Sequence, residues 1–203
     1  QERIPRQASP WQSPLRDAFS LDQVPELLVR GARLPPPRTG QLAFGLADQP
    51  ARQQKVPAVF DVVRGGHLLV AGAPQSGRTT LLRTLAASLM AQVRPDDVHL
   101  YVFDWGGGLA ALSALPHCGA VVTSAEPDRA DRLLARLASE VIRRTHLLSA
   151  GGYGDLTEYR QVNHGSDAPP FLLVFIDRYD AFVTAIEQID HGRLVEQLQR
   201  LIR

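Results

Sequence analysis

The sequence is poor in cysteine, lysine and aromatic residues, and it has no long uninterrupted hydrophobic run. Its 203 residues include a single cysteine, Cys118, which excludes an intrachain disulfide and a multi-cysteine metal site. A reducing compartment fits this cysteine content. The longest uncharged stretch, residues 106–125, contains three consecutive glycines, Pro116 and His117, and these residues argue against a membrane span.

Lysine is almost absent, because Lys55 is the only lysine among 22 basic residues and the rest are arginine. The 21 acidic residues leave a formal net charge of +1, so no strong overall attraction to nucleic acid or to an acidic membrane is expected. Any site that ordinarily uses a lysine elsewhere in the chain must here use a different residue.

The chain is long enough for one large domain with appendages. Residues 1–41 are irregular and rich in Pro, Arg and Gln, with a potential polyproline segment at residues 34–37, and they are interpreted as a linker or strap. Residues 42–203 are predicted to form the main domain. Because the sequence ends within an amphipathic pattern, we interpret the chain as a piece of a longer protein.

Hydrophobic periodicity within the main domain predicts strands that alternate with helices. Strands are predicted at residues 41–46, 58–63, 67–70, 99–103, 120–122 and 171–176, and helices at 79–92 and from Pro127 to about residue 149. The first helix is expected to bury a stripe from Leu81 to Met90, and the second to bury Val141 among others. The alternation predicts an α/β fold with a mainly parallel sheet flanked by helices.

The most specific motif is a phosphate-binding loop that follows an apolar strand and precedes a helix. Its two glycines, which have four residues between them, allow the backbone N–H groups to surround phosphate oxygens, and the helix adds its positive N-terminal end. The predicted nucleotide-binding residues are Gly72, Ala73, Pro74, Gln75, Ser76, Gly77, Arg78, Thr79 and Thr80. The Thr79 hydroxyl stands where a magnesium ligand is expected.

Arg78 departs from this motif, which ordinarily has lysine at that position. A guanidinium is wider than an ammonium and carries its charge farther from the backbone. Nucleotide binding is therefore predicted, and no catalytic residue is assigned.

Asp177 ends the apolar run at residues 171–176 and is predicted to be the second magnesium-assisting residue. The next residue, Arg178, is a cation and cannot act as a base toward water. Asp180 is the alternative carboxylate nearby. The three glycines at residues 106–108 also follow a strand end, and they form either a loop on the nucleotide side or a simple turn.

Several segments together resemble the FtsK/SpoIIIE-type motor ATPases, and within them the C-terminal ATPase domains of the type VII secretion ATPase family EccC. The resemblance runs from about Leu42 to the end of the chain. It is carried by Gly45-Leu46-Ala47-Asp48-Gln49-Pro50, Gly66-His67-Leu68-Leu69-Val70, the phosphate loop, Phe103-Asp104-Trp105-Gly106-Gly107-Gly108-Leu109, Leu115-Pro116-His117-Cys118-Gly119, and Arg143-Arg144.

This resemblance implies a RecA-like P-loop NTPase fold, ATP and Mg²⁺ as ligands, and a hexameric parent protein. It implies sister ATPase domains and secreted-protein signal peptides as partners, and a place on the cytoplasmic side of a membrane within a longer anchored chain. It also implies further strands of the core after Asp177, beyond Arg203. Arg78 and Arg178 match the degenerate catalytic motifs common in later domains of such proteins, which implies weak or absent hydrolysis and a regulatory or substrate-docking role.

Two other functions remain open from the sequence. The chain is alternatively part of an FtsK-like, ATP-driven DNA translocase, or an interaction module whose phosphate loop no longer binds nucleotide.

Overall fold

The computed structural model describes residues 13–24, 40–64, 66–163, 168–190 and 193–202. In this part of the chain, a parallel sheet has the strand order β4-β3-β5, from β3 (Val98–Asp104), β4 (Cys118–Thr123) and β5 (Phe171–Asp177). A separate antiparallel hairpin pairs β1 (Gln41–Gln49) with β2 (Gln54–Asp61). The expected α/β architecture with a parallel sheet is confirmed.

Five helices accompany these strands in the described residues. They are α1 (Arg78–Gln92), α2 (Pro127–Gly151), α3 (Leu156–Val162), α4 (Tyr179–Asp190) and α5 (Arg193–Ile202). Proline at the first position of α2 suits a helix start, and Gly152 ends it with a positive φ of 72°. Short 3₁₀ helices lie at Leu21–Gln23, Pro50–Arg52 and Ala110–Ala114.

The parallel sheet separates two hydrophobic clusters. Leu100 and Val102 of β3 contribute to the cluster beneath α1 and the hairpin, whereas Phe103 contributes to the cluster beneath α2, α4 and α5. Alternate residues of a strand point to opposite faces, so a strand covered on both faces needs apolar residues throughout. The uninterrupted apolar run of β5 follows from this double coverage.

The strand predicted at residues 67–70 is not present in either sheet of the described chain. These residues belong to no strand or helix, and Leu69 is 84% exposed. An apolar run supplies strand propensity, but a strand also needs a neighbour that provides hydrogen bonds. Within the described residues β5 pairs with β3, and residues 67–70 pair with neither strand.

Two expectations about buried side chains are wrong. Met90 of α1 and Val141 of α2 are 53% and 43% exposed, respectively, while Leu85, Leu89, Leu133, Leu134 and Leu137 are buried. Helical periodicity identifies a face, but it does not show how far along the helix the neighbouring elements extend.

The described part of the N-terminal region lies against the hairpin. The Pro14 carbonyl accepts a hydrogen bond of 3.4 Å from Nζ of Lys55, the single lysine, which is buried. The polyproline segment predicted at residues 34–37 lies outside the described residues. Among the described residues, no helix is both long and apolar enough to cross a membrane.

Candidate nucleotide site

The phosphate loop joins residues 66–71, which belong to no strand or helix, to the first turn of α1. Gly77 lies immediately before the helix with φ of 90°, and Gln75 also has a positive φ of 63°. A Cβ at Gly72 would overlap the Ser76 hydroxyl, so a side chain there would force Ser76 to move. No side chain caps the helix start at Gly77, which leaves the first N–H groups of α1 available to an anion.

The structure brings together the two residues predicted to assist magnesium. Thr79 Oγ1 lies 3.3 and 3.1 Å from Oδ1 and Oδ2 of Asp177, although 98 residues separate them in sequence. Asp177 is buried at the carboxyl end of β5. Hydroxyl and carboxylate oxygens are ligands that Mg²⁺ favours, usually together with water and substrate phosphates. The donor set therefore fits a magnesium ion bound with nucleotide.

No larger metal site competes with this pair in the described part of the chain. Within those residues, no group of three or more His, Cys, Asp or Glu side chains is arranged to hold a metal. Magnesium coordination at Thr79 and Asp177 would thus depend on the nucleotide and water for the other ligands.

The three consecutive glycines lie directly against the Thr79–Asp177 pair, and we refer to residues 106–108 as the glycine loop. A Cβ at Gly106 would overlap the Asp177 carboxylate, and one at Gly108 would approach Cγ2 of Thr79 to 2.6 Å. Of the two alternatives raised by the sequence, the contact with the candidate site favours a loop on the nucleotide side. A side chain at Gly106 or Gly108 would displace Asp177 or Thr79, because the backbone at these two glycines packs on the site.

Asp104 holds the glycine loop in place through hydrogen bonds to the backbone. Its carboxylate accepts hydrogen bonds from the backbone N–H groups of Gly108 (3.0 Å) and Leu109 (2.8 Å), and its side chain is buried. Asp104 ends β3 and pairs in register with Asp177 of β5. Sequence analysis used Asp104 only as part of the resemblance, although an aspartate at a strand end before three glycines was a signal for this role.

Arg83 of α1 holds the same loop from the side. Its Nε and Nη2 donate hydrogen bonds of 2.8 and 2.5 Å to the Gly108 carbonyl. Thr79 and Arg83 are four residues apart, so they share one face of α1. Sequence analysis did not identify Arg83, since a bond to a distant backbone carbonyl leaves no pattern in the sequence.

The two arginines that depart from the usual motifs differ in their surroundings. Arg78 is partly buried at the start of α1, near Gly72. Arg178 is exposed and has φ of 56°, a left-handed conformation that costs a non-glycine residue about 1 kcal/mol or more. Asp180, the alternative carboxylate, is exposed in the first turn of α4.

Ion pairs on α2 lie away from the phosphate loop. Hydrogen bonds from Arg143, with a further contribution from Arg144, lower the pKa of Glu140 to about 2. Arg144 also donates to the Pro170 carbonyl at 2.6 Å, which connects α2 to the segment before β5. Partial burial raises the pKa of the Cys118 thiol, and this disfavours a reactive thiolate there.

A phosphate loop opening a helix, with a buried aspartate at the end of a parallel strand, defines a P-loop nucleoside triphosphatase. The chain belongs to the FtsK/SpoIIIE family, whose sequence model matches residues 40–198. The resemblance drawn from the sequence motifs is confirmed.

Curated relatives are type VII secretion proteins. The ESX-1 secretion system protein EccCb1 of Mycolicibacterium smegmatis is 36% identical over 188 residues, covering 89% of this chain and 31% of that protein. The ESX-4 secretion system protein EccC4 of Mycobacterium tuberculosis is 39% identical over 162 residues, covering 77% of this chain and 13% of that protein. The chain thus spans about a third or less of the length of these relatives.

A solved structure agrees with these relatives. Thermomonospora curvata EccC (ATPases 2 and 3), in complex with a signal sequence peptide, superposes with a TM-score of 0.70 and 30% sequence identity. The match covers 87% of this chain and 34% of that chain. The homologues of this chain are therefore ATPase domains of type VII secretion proteins.

Proposed function

We propose that this chain is a nucleotide-binding ATPase-family domain of a type VII secretion motor, with weak or absent hydrolysis of its own. The observation that carries the proposal is the contact between Thr79 and Asp177 next to an uncapped helix start. Residues 72–80 would hold the phosphates of ATP, and Thr79 and Asp177 would hold Mg²⁺. The ion would supply charge neutralisation at the phosphates.

The proposed reduction of hydrolysis rests on Arg78 and Arg178. Arg78 places a broad guanidinium where a compact ammonium usually contacts the outer phosphates. Arg178 places a cation directly after Asp177, where a base for the attacking water would stand. With no carboxylate at that position, the domain would bind ATP but hydrolyse it slowly or not at all.

A regulatory or substrate-docking role follows from this loss of turnover. In this proposal residues 42–203 are the ATPase domain and residues 1–41 are a linker or strap. The domain acts within a longer, oligomeric, membrane-anchored protein, on its cytoplasmic side. Its partners are sister ATPase domains. Secreted-protein signal peptides are a further partner, which is supported by the solved structure of the EccC relative in complex with a signal sequence peptide.

Calorimetric titration with ATP, in Mg²⁺ and in EDTA, tests nucleotide binding. We expect saturable binding that is tighter in Mg²⁺, and turnover well below about 1 per second. Thr79→Ala should weaken the magnesium-dependent binding about tenfold, whereas Thr79→Ser keeps the hydroxyl and should bind nearly as the parent does. Absence of binding at millimolar ATP would instead favour the nucleotide-free interaction module.

The role of the two arginines is tested by restoring the usual residues. Arg78→Lys combined with Arg178→Glu should raise nucleotide affinity or turnover. Arg136→Lys combined with Arg132→Glu makes the same change of charge on the exposed face of α2 and should alter neither quantity. Turnover of about 1 per second or more by the unaltered chain would contradict the proposed loss of hydrolysis.

A further inference from the structure

The glycine loop covers the Thr79–Asp177 pair without any side chain between them. Gly106 is in contact with the Asp177 carboxylate, and Gly108 packs on the Thr79 methyl group. A magnesium ion held by Thr79 and Asp177 would therefore lie next to this backbone. Movement of the loop changes the space at the oxygen atoms that would bind the ion.

Two side chains from different elements determine where the loop lies. Asp104, at the end of β3, accepts hydrogen bonds from the N–H group of Gly108 in the loop and from that of Leu109 directly after it. Asp104 is buried, so its position is fixed by the sheet. Arg83 binds the Gly108 carbonyl from α1, and it is exposed. An exposed guanidinium exchanges its partners with water easily, which makes the Arg83 bond the releasable one.

The hydrogen bonds of Arg83 also connect the glycine loop to the phosphate loop. Arg83 is one helical turn after Thr79 on the same face of α1, and α1 begins at the phosphate loop. Gly108 thus contacts Thr79 through its backbone carbon and Arg83 through its carbonyl oxygen. A shift of α1 would be transmitted to the glycine loop through both contacts.

We propose that Arg83 and Asp104 are positioning residues of the nucleotide site. The hydrogen bonds from Arg83 to Gly108, which we call the latch, hold the glycine loop against Thr79 and Asp177. Closure of the loop and magnesium-dependent nucleotide binding are thereby coupled. The coupling rests on the proposed function, whereas the latch itself does not. Neither residue contacts the nucleotide in this proposal. Each acts through the position of the loop.

Trp105 provides a direct measurement of the latch that needs no nucleotide. It precedes Gly106 and packs edge-on against Phe182, with ring centroids 4.7 Å apart. The chain has two tryptophans, so Trp11→Phe leaves Trp105 as the only tryptophan. In this background Arg83→Ala should increase acrylamide quenching of Trp105 about twofold, because the loop is released toward solvent.

Matched variants separate release of the loop from loss of charge or stability. Arg83→Lys keeps the charge and one hydrogen bond, and should give intermediate quenching. Arg94→Ala removes an arginine whose ion pair with Asp96 is highly exposed, and should leave quenching unchanged. Equal quenching of the Arg83→Ala variant and its parent would overturn the latch, whatever the nucleotide does.

The coupling is tested by titrating the same variants with ATP in Mg²⁺ and in EDTA. Arg83→Ala should lose about threefold to tenfold in affinity in Mg²⁺ and little in EDTA. Gly106→Ala should lose more, because its Cβ would displace the Asp177 carboxylate. Gly45→Ala is its control, because a Cβ there would meet no atom within 4 Å apart from its neighbours in the chain. Equal losses with and without Mg²⁺ would overturn the coupling and leave the proposed function intact. No binding by the parent chain would remove both the proposed function and the coupling, while the quenching experiment would still decide the latch.

Discussion

At the scale of single residues, two aspartates show how position determines chemistry. Asp104 and Asp177 end neighbouring strands, pair in register and are both buried. A buried carboxylate needs hydrogen-bond donors, and the two find different ones. Asp104 is satisfied by two backbone N–H groups, whereas Asp177 faces the Thr79 hydroxyl. Asp177 therefore retains the capacity to bind a cation, and Asp104 is committed to the loop.

Glu140 gives a prediction for the pH dependence of stability. Arg143 and Arg144 lower its folded-state pKa to about 2, from an ordinary value of 4.5. A lowered pKa means that its contribution is complete above about pH 4.5 and is lost as the pH falls toward 2. Glu140→Gln should lower the free energy of unfolding by about 1 kcal/mol at pH 7, since the ion pairs are partly solvated.

Urea denaturation of the parent and Glu140→Gln between pH 7 and pH 3 measures this difference. The gap between the two should shrink as the pH falls, because the parent loses the charged carboxylate. Glu187→Gln, at an exposed position of α4, is the control and should match the parent throughout. A gap of constant size would show that the ion pairs do not cause the stabilisation.

At the scale of elements, Arg160 of α3 anchors the chain just before β5. It donates hydrogen bonds to the carbonyls of Ala168 (3.1 Å) and Pro169 (2.7 Å), and it binds the Asp97 carboxylate before β3. Its guanidinium also lies 5.6 Å from the centre of the Phe171 ring. Ala168 and Pro169 are buried, and Arg160 donates to the carbonyls of both.

Arg160→Ala should therefore lower the free energy of unfolding by about 2 kcal/mol, because it removes a hydrogen-bond donor from the carbonyls of two buried residues. The measurement is the urea midpoint at neutral pH. Arg200→Ala breaks an exposed pair with a 3.8 Å separation and should change stability by no more than about 0.5 kcal/mol. Similar effects of the two substitutions would contradict the anchoring role of Arg160.

The elements were predictable from the sequence to different degrees, for physical reasons. The apolar run of β5 and the amphipathic pattern of α2 reflect burial on both faces and on one face, respectively. The order of apolar and polar residues in the sequence shows such burial directly. The segment at residues 67–70 was predicted as a strand because apolar residues have strand propensity, yet pairing depends on a neighbour that the segment itself does not encode. The contact of Thr79 with Asp177 was expected from the motif, whereas the bond from Arg83 to Gly108 depends on tertiary geometry alone.

At the scale of the whole molecule, the sheet separates the hydrophobic core into two parts with different tasks. One cluster joins α1 and the hairpin to the sheet, and so supports the phosphate loop. The other joins α2, α4 and α5 to the opposite face. Thr79 comes from the first side and Asp177 from the sheet between them, so the candidate site depends on the relative position of α1 and β5. Ligand binding there would stabilise the packing of the first cluster.

The whole-molecule charge gives a prediction that separates the secretion function from the DNA translocase alternative. The net charge is +1, and on the arginine-rich face of α2 Arg129 and Arg143 are paired with Glu126 and Glu140. Binding to duplex DNA requires unpaired cations that displace counterions from phosphates, and it weakens steeply with salt. We therefore expect no measurable binding of a short labelled duplex at about 200 mM salt. Any affinity measured at about 50 mM should fall only slightly as the salt concentration is raised.

Fluorescence anisotropy of the labelled duplex measures this binding, and a charge variant shows that the assay can detect it. Glu126→Gln combined with Glu140→Gln removes two negative charges and leaves Arg129 and Arg143 without these carboxylate partners. Its binding at low salt should therefore exceed that of the parent. A logarithmic salt slope of magnitude about 4 or more for the parent would mean that several phosphates are contacted, and would favour a DNA translocase. A shallow slope with retained ATP binding instead fits a motor domain whose partners are nucleotide and protein.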